Sequence, residues 1–267
     1  MYIALSGILI MANNSSSGRQ LKTLETAAEL VDIIQQQSGM SIESLAKELN
    51  LAESTIHGYV KTLENNGYLV YEDGKYHIGL EFLNKGGHAR TRKPEYDFII
   101  SKLEDLAEQT GERVQFIVEE NGKAYYVHTS IGKNAVQVDA HIGKVIHLHA
   151  SSAGKAILAH LPEDRVKQIL NQWGTPAYTQ HTITSEEELL EELNTIQERG
   201  YSISDQESIS GLRAIGVPIC SQSSGHPLGA ISLSGPAHRL KGEWFEQDIP
   251  DIILAVVNEI ELDLEYH

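Results

Sequence analysis

The chain has 267 residues, 41% hydrophobic and 22% charged, with 37 acidic against 21 basic side chains and a formal net charge of −16. This composition excludes a disordered or fibrous protein and leaves room for one large domain or two ordinary ones. A lone cysteine, Cys220, excludes an intramolecular disulfide and a thiolate metal cluster.

The opening MYIALSGILIM is the longest apolar run. It is too short to span a bilayer and has no Lys or Arg before it, so it makes a poor export signal. Met11 begins a polar stretch, MANNSSSGRQ, that reads as an ordinary start. Residues 1–18 are therefore expected to be a disordered tail, with the true start at Met11 and a cytoplasmic location. In LKTLETAAELVDIIQQQ, Leu24, Ala27, Ala28, Val31 and Ile34 recur at helical spacing. SIESLAKELN offers Ser41 and Ser44 as caps and Ile42, Leu45, Ala46 and Leu49 as an apolar face. ESTIHGYVKTLENNG places Ile56, Val60 and Leu63 on one side of a third helix, which the Asn65–Gly67 triplet stops. YLVYEDGKYHIG then reads as a hairpin turning at Asp73–Gly74. Helix, helix, turn, helix, hairpin is a winged helix-turn-helix, assigned to residues 19–80, with a linker helix over 81–97.

Residues 98–267 mix both kinds of element. EYDFIISKLEDLAEQTG is helical and ends at Gly111. RVQFIVEENGKAYYVHTS is a hairpin about Asn121–Gly122. ASSAGKAILAHL, EDRVKQILNQW and SEEELLEELNTIQERG are helical, the last capped by Ser185. LRAIGVPICSQSSGHPLGAISLSG reads as two strands around a polar turn, and FEQDIPDIILAVVNEIELDLE as a closing helix. The order indicates an α+β domain with helices packed on an antiparallel sheet. Charge divides the same way. Residues 19–93 carry nine basic and ten acidic side chains, while residues 94–267 carry a net −15. A near-neutral head beside an acidic body is the asymmetry of a DNA-binding module on a separate domain, and the acidity itself points to a salt-loving source.

From about Leu21 to Glu261 the sequence resembles the IclR family of transcriptional regulators. The resemblance rests on IHLHASSAGKAILAHLP, TPAYTQHTIT, RGYSISDQE and GLRAIGVPI…GAISLSGPAHRL. With the acidity it suggests a halophilic archaeon. It implies a winged helix-turn-helix joined by a helix to a GAF-like effector domain, and a homodimer or homotetramer that binds operator DNA and senses a small metabolite, often a carboxylate or aromatic acid. In the recognition helix Ser54, Thr55 and His57 match the family pattern, and Gly58 stands where Arg is usual. In the effector pocket the matching positions are Ser152, Ala153, Ser232 and Ser234, with Leu212 in the Gly-Leu-Arg motif. Ser204 replaces a family Asp, with Asp205 beside it, and Ala214 replaces a family Cys.

The residues carry the same reading. Ser54, Thr55, His57 and Lys61 are the polar groups opposite the apolar face of the third helix, placed to meet base edges and phosphates. Lys75 at the wing tip, and Arg19 and Lys22 as an N-terminal arm, complete the expected DNA contacts. A helix start at Ser152 offers free N–H groups to an anion. Ser232 and Ser234, two apart on a strand, point the same way. Val138 and Ile146 supply an apolar wall. Ala214 leaves room for a polar metabolite larger than a two- or three-carbon acid, such as a sugar acid or hydroxylated carboxylate. Three rival patterns are present. Ser152 and Lys155 have the spacing of some acyl-transferring serine enzymes, without their companion motifs, which leaves a hydrolase as the alternative. His147 and His149, with His128 and His141, are candidate metal ligands that lack a completing Cys or carboxylate. A winged helix can also serve protein contacts. The expectation is a regulator with no catalytic residue, metal or cofactor.

Overall fold

The computed structural model describes residues 21–266. The expected tail, the start at Met11 and Arg19 lie outside the described residues. The chain forms two compact units that divide between Arg92 and Lys93.

The first unit runs α1 (Lys22–Gln36), α2 (Ile42–Glu48), α3 (Glu53–Asn65), β1 (Leu69–Glu72), β2 (Lys75–Ile78) and α4 (Glu81–Thr91). Leu30, Ile34, Leu45, Ile56, Val60, Leu69 and Tyr76 make its core. Each large apolar side chain buried this way stabilises the unit by about 1.5–3 kcal/mol. Ser41 caps α2, its hydroxyl accepting the Ser44 N–H at 3.2 Å. Asp73 and Gly74 both have positive φ, 49° and 82°, as a tight hairpin turn between right-twisted strands requires. Met40 pairs with Tyr76 through two backbone bonds of 3.0 and 2.8 Å, which adds a one-residue third strand to the wing. The α1 face differs from the expected one. Leu24 is 65% exposed and Ala28 is also exposed, while Leu30 and Ile34 are the buried pair. Only the second half of α1 reaches the unit's core, so apolar spacing in its first turns faces outward.

The linker also differs. The helix expected over 81–97 is two helices, α4 and α5 (Pro94–Thr110). Pro94 opens α5, and its ring pushes Lys93 out of the helical region to φ −114°, ψ 111°.

The second unit is a six-stranded antiparallel sheet in the order β5-β4-β3-β8-β7-β6. Its strands are β3 (Arg113–Glu120), β4 (Lys123–Ile131), β5 (Val145–Ile146), β6 (Ser202–Asp205), β7 (Leu212–Cys220) and β8 (Pro227–Pro236). Helix α5 and the closing helix α9 (Ile249–Tyr266), preceded by a π-turn at Trp244–Asp248, cover one face. Helices α6 (Ser152–Ala159), α7 (Glu163–Trp173) and α8 (Glu186–Arg199) cover the other. The central strands are buried on both sides, so their alternation does not separate core from solvent. Alternation instead separates two chemistries. Val114, Phe116, Ile215, Val217, Ile231 and Leu233 point into the α5/α9 core. Gln115, Ala214, Gly216, Ser232 and Ser234 point to the α6 side, a small and polar stripe across three adjoining strands. Helix α6 lies directly on that stripe. A Cβ at Gly216 would stand 2.5 Å from the Ser152 carbonyl carbon, so only glycine permits the approach.

Candidate functional site

Above the polar stripe, between the start of α6 and the loop before β5, is a cavity of about 200 Å³. Nine of the ten expected pocket residues line it. Ser152 and Ala153 come from the first turn of α6, and Ser204 from β6. Leu212 and Ala214 come from β7, Ser232 and Ser234 from β8, and Val138 and Ile146 from the loop and β5. Asp205 is the exception. It follows Ser204 on β6 and so faces the opposite side, where Arg213 holds it with bonds of 2.8 and 2.7 Å. That bond keeps the Asp205 carboxyl below the usual carboxylate range.

The start of α6 is built to face the cavity. Ser151 caps it, accepting the Gly154 N–H at 3.1 Å. Lys155 N–H bonds the Ser151 carbonyl oxygen, which leaves the N–H groups of Ser152 and Ala153 without an intrahelical partner. Ser202 anchors the turn from beneath by donating to the Ser152 carbonyl oxygen. Ser152 and Ser232 hydroxyls lie 3.0 Å apart, and Ser234 donates to Gln115 Oε1 at 3.3 Å. The cavity therefore presents hydroxyls, an amide and helix N–H groups from several directions, against apolar walls.

Several lining residues were not expected from the sequence. Gln115 carried a usable signal, a single polar residue amid the apolar run of β3, opposite Ser232 in register. Tyr126 on β4 and Tyr178 in an irregular loop both line the cavity. Burial pushes each phenol up to about 12, so both remain neutral donors. Tyr178 gave no periodic signal, because its loop is fixed by Thr179 and Thr182 donating to the Gln206 and Glu207 carbonyl oxygens at 2.7 and 2.6 Å. At the mouth Lys144 pairs with Asp139 Oδ2 at 2.8 Å.

The histidine pattern resolves differently from a strand pair. His147 and His149 lie in the loop after β5, their rings 5.8 Å apart and both stacked near Tyr178. His149 Nε2 bonds the Pro176 carbonyl oxygen at 3.0 Å. His128 bonds Ser130 and His141 bonds Asp139. Among the described residues no group of three or more His, Cys, Asp or Glu is placed to hold a metal. Burial lowers His149 from 6.5 to about 4. A histidine held neutral by the fold stabilises it above its unfolded value, and that stability is lost as pH falls through the folded value. Thermal melts should therefore show stability declining from about pH 6.5 toward pH 4, by roughly 3 kcal/mol in total. His149→Gln should flatten that decline; an unchanged profile would place its origin elsewhere.

The serine-enzyme pattern is also spoken for. Lys155 Nζ is 2.6 Å from Glu207 Oε1 and 3.7 Å from Glu192 Oε1, while Ser152 bonds Ser232. Cys220 is half-buried, and burial pushes its thiol up to about 11.

On the first unit, Ser54, Thr55, His57, Gly58 and Lys61 are all exposed on α3, opposite buried Ile56 and Val60. A Cβ at Gly58 would meet nothing within 4 Å, so this surface is open. Lys61 is engaged, its ammonium 2.7 Å from Glu64 Oε2. Lys22 is exposed at the first position of α1, and Lys75 is exposed beside the wing turn.

Residues 99–262 match the model of the bacterial transcriptional regulator IclR C-terminal domain, and residues 25–70 that of a winged helix-turn-helix DNA-binding domain. The "Probable HTH-type transcriptional regulator ArcR" of Halobacterium salinarum is 32% identical over 260 residues, which cover 95% of this chain and 98% of that one. Its halophilic source accords with the acidity of the present sequence. Among solved structures, the IclR of Thermotoga maritima superposes with a TM-score of 0.71 at 28% identity, covering 92% of this chain and 99% of that one. An IclR homolog of Microbacterium hydrocarbonoxydans, solved with 4-hydroxybenzoate, has a TM-score of 0.73 at 21% identity, covering 91% and 99%.

Proposed function

The chain belongs to the IclR family of ligand-responsive, DNA-binding transcriptional regulators, and on that premise we propose that α3 reads operator DNA while the α6 cavity takes an organic acid of a metabolic pathway. The cavity carries the ligand reading. Its volume of about 200 Å³ leaves room beyond a two- or three-carbon acid. Its donors come from α6, β3, β8 and β6, which suits a ligand with oxygens at more than one end, such as a sugar acid or hydroxylated carboxylate. The 4-hydroxybenzoate in the Microbacterium homolog supports an acid of that size. Ser152 and Lys155 are read as parts of the ligand site and its support, with no catalytic role.

Ser54, Thr55, His57 and Lys61 would enter the major groove, with Lys22 and Lys75 on the backbone. Two such heads read a two-fold operator, which asks for a homodimer or homotetramer. Exposed apolar residues on α1 and at and just before the start of α4 support self-association: Leu24 at 65%, Leu80 at 81% and Leu83 at 72%. No described helix is long and apolar enough to cross a membrane, which fits a regulator working in the cytoplasm.

Lys61→Ala tests the head. Operator binding should weaken, and the slope of log K against log salt should fall by about 0.9 for one lost phosphate contact. Because Glu64 already holds the Lys61 ammonium, the loss of affinity should be modest and the slope is the sharper readout. Retention of both in the variant would move Lys61 out of the interface.

A further inference from the structure

We infer that Arg113 is the anion end of the α6 cavity and that it receives the carboxylate of the ligand. The inference rests on the reading of that cavity as the site of an organic acid and goes beyond it by naming the ligand's orientation and the residue that selects its carboxylate.

Arg113 opens β3 and pairs in register with Ser234 of β8. Residues directly opposite in an antiparallel pair share a face, so its side chain lies on the cavity side of the sheet, behind the lining residues Ser234 and Gln115 and not itself part of the lining. The residue is only 6% exposed. Its guanidinium makes one hydrogen bond, Nη2 to the Val136 carbonyl oxygen at 2.9 Å, and its buried Nε has no partner. No carboxylate lies within ion-pair distance of it among the described residues. Lys144, which lines the cavity, is neutralised by Asp139 at 2.8 Å, and Lys155, on α6 outside the lining, by Glu207 at 2.6 Å. Tyr126 lies within electrostatic range, but its phenol is neutral, since burial pushes it up to about 12. Burial likewise pulls Arg113 down from its usual value, the mark of a cation with no counter-charge.

An arginine keeps its charge in a protein, and a buried charge without a partner is costly. A carboxylate matches the planar guanidinium fork. An acid group entering past Ser234 and Gln115 would take the free Nε and compete with the Val136 carbonyl for Nη2. Val136 belongs to the loop whose residues Val138–Ala140 wall the cavity, so the same event would loosen that loop from the sheet. The far end of the ligand would then lie toward the α6 start and Ser152.

The test is calorimetric titration of the full-length chain with matched acid and amide pairs, 4-hydroxybenzoate with 4-hydroxybenzamide and gluconate with gluconamide. Each pair keeps its shape and changes its charge. In the wild type an acid should bind about 10- to 100-fold tighter than its amide. Arg113→Gln should bring the acid down to the amide's affinity and leave the amide unchanged, and Arg113→Lys should keep part of the preference. Equal binding of acid and amide by the wild type, or an acid preference that survives Arg113→Gln, would overturn the assignment. The wild-type comparison and the lysine variant decide the matter if Arg113→Gln does not fold. Amide binding abolished by Ser234→Leu, with no acid preference, would sink Arg113 and leave the cavity reading intact. Failure of every probe to bind would count against both.

Discussion

Lys155→Met is expected to cost the second unit about 3–5 kcal/mol of stability, the largest loss of any single side-chain truncation around the cavity. Lys155 is 1% exposed and Glu207 6% exposed, and their bond is 2.6 Å. The second Glu207 oxygen, Oε2, already has no hydrogen-bond partner. Removal of the ammonium would leave a buried carboxylate whose pKa burial already raises above the usual range. Methionine fills nearly the same volume, so the loss would measure charge rather than packing. Glu207→Gln in the Lys155→Met background should recover more than half of it, because a neutral amide is far cheaper to bury than an unpaired charge. Chemical denaturation of the two single variants and the double variant gives the coupling directly. Additive losses would mean that the pair is not a unit. The pair also joins α6 to the turn after β6, so the variant should soften the cavity's rim, where Ser208 and Ile209 stand.

Ser234→Leu should abolish the response to ligand, with affinity falling more than about 100-fold, while operator binding without ligand stays within a few-fold of wild type. Ser234 is 6% exposed, lines the cavity and donates to Gln115. Leucine would occupy the space a ligand needs, leave the Gln115 oxygen unbonded and cost about 1–3 kcal/mol by overpacking. The first unit has its own core of Leu30, Ile34, Leu45, Ile56 and Val60, so the substitution should not reach it. Ser234→Ala removes one hydroxyl without filling the site and should cost ligand affinity about tenfold. Titration of both variants with ligand and with operator DNA separates the two effects. Loss of operator binding in Ser234→Leu, or an intact ligand response, would contradict the placement.

The fold was legible in the sequence where local rules act alone. Asp73–Gly74 and Asn121–Gly122 announced their hairpins, because few other residue pairs accept two positive φ angles. Ser41 and Ser185 announced helix starts, since a hydroxyl there satisfies an otherwise free N–H. Seven of the expected residues that line the cavity come from the family pattern, and Val138 and Ile146 from their apolar character alone. Strand logic, applied to Ser204 and Asp205, would have separated them, for neighbours on a strand cannot share a face. Other features depend on contacts distant in sequence. Leu24 sits at core spacing yet is exposed, because nothing in its own unit covers it. Arg113 carries no sequence signal beyond a charge at a strand end, and only its pairing with Ser234 puts it behind the cavity. The 81–97 helix failed on a local rule that was available, the restriction that Pro94 places on Lys93.

Control of DNA reading by the cavity is tested most directly by one titration: anisotropy of full-length protein on a genomic duplex it selects, at fixed salt, with and without an acid that calorimetry has shown to bind. The expected result is a shift in DNA affinity of at least fivefold in the wild type, the range of a coupling free energy of 1 kcal/mol or more, and no shift in Ser234→Leu. Equal DNA affinity with and without the bound acid in the wild type, or the same shift in Ser234→Leu, would contradict it.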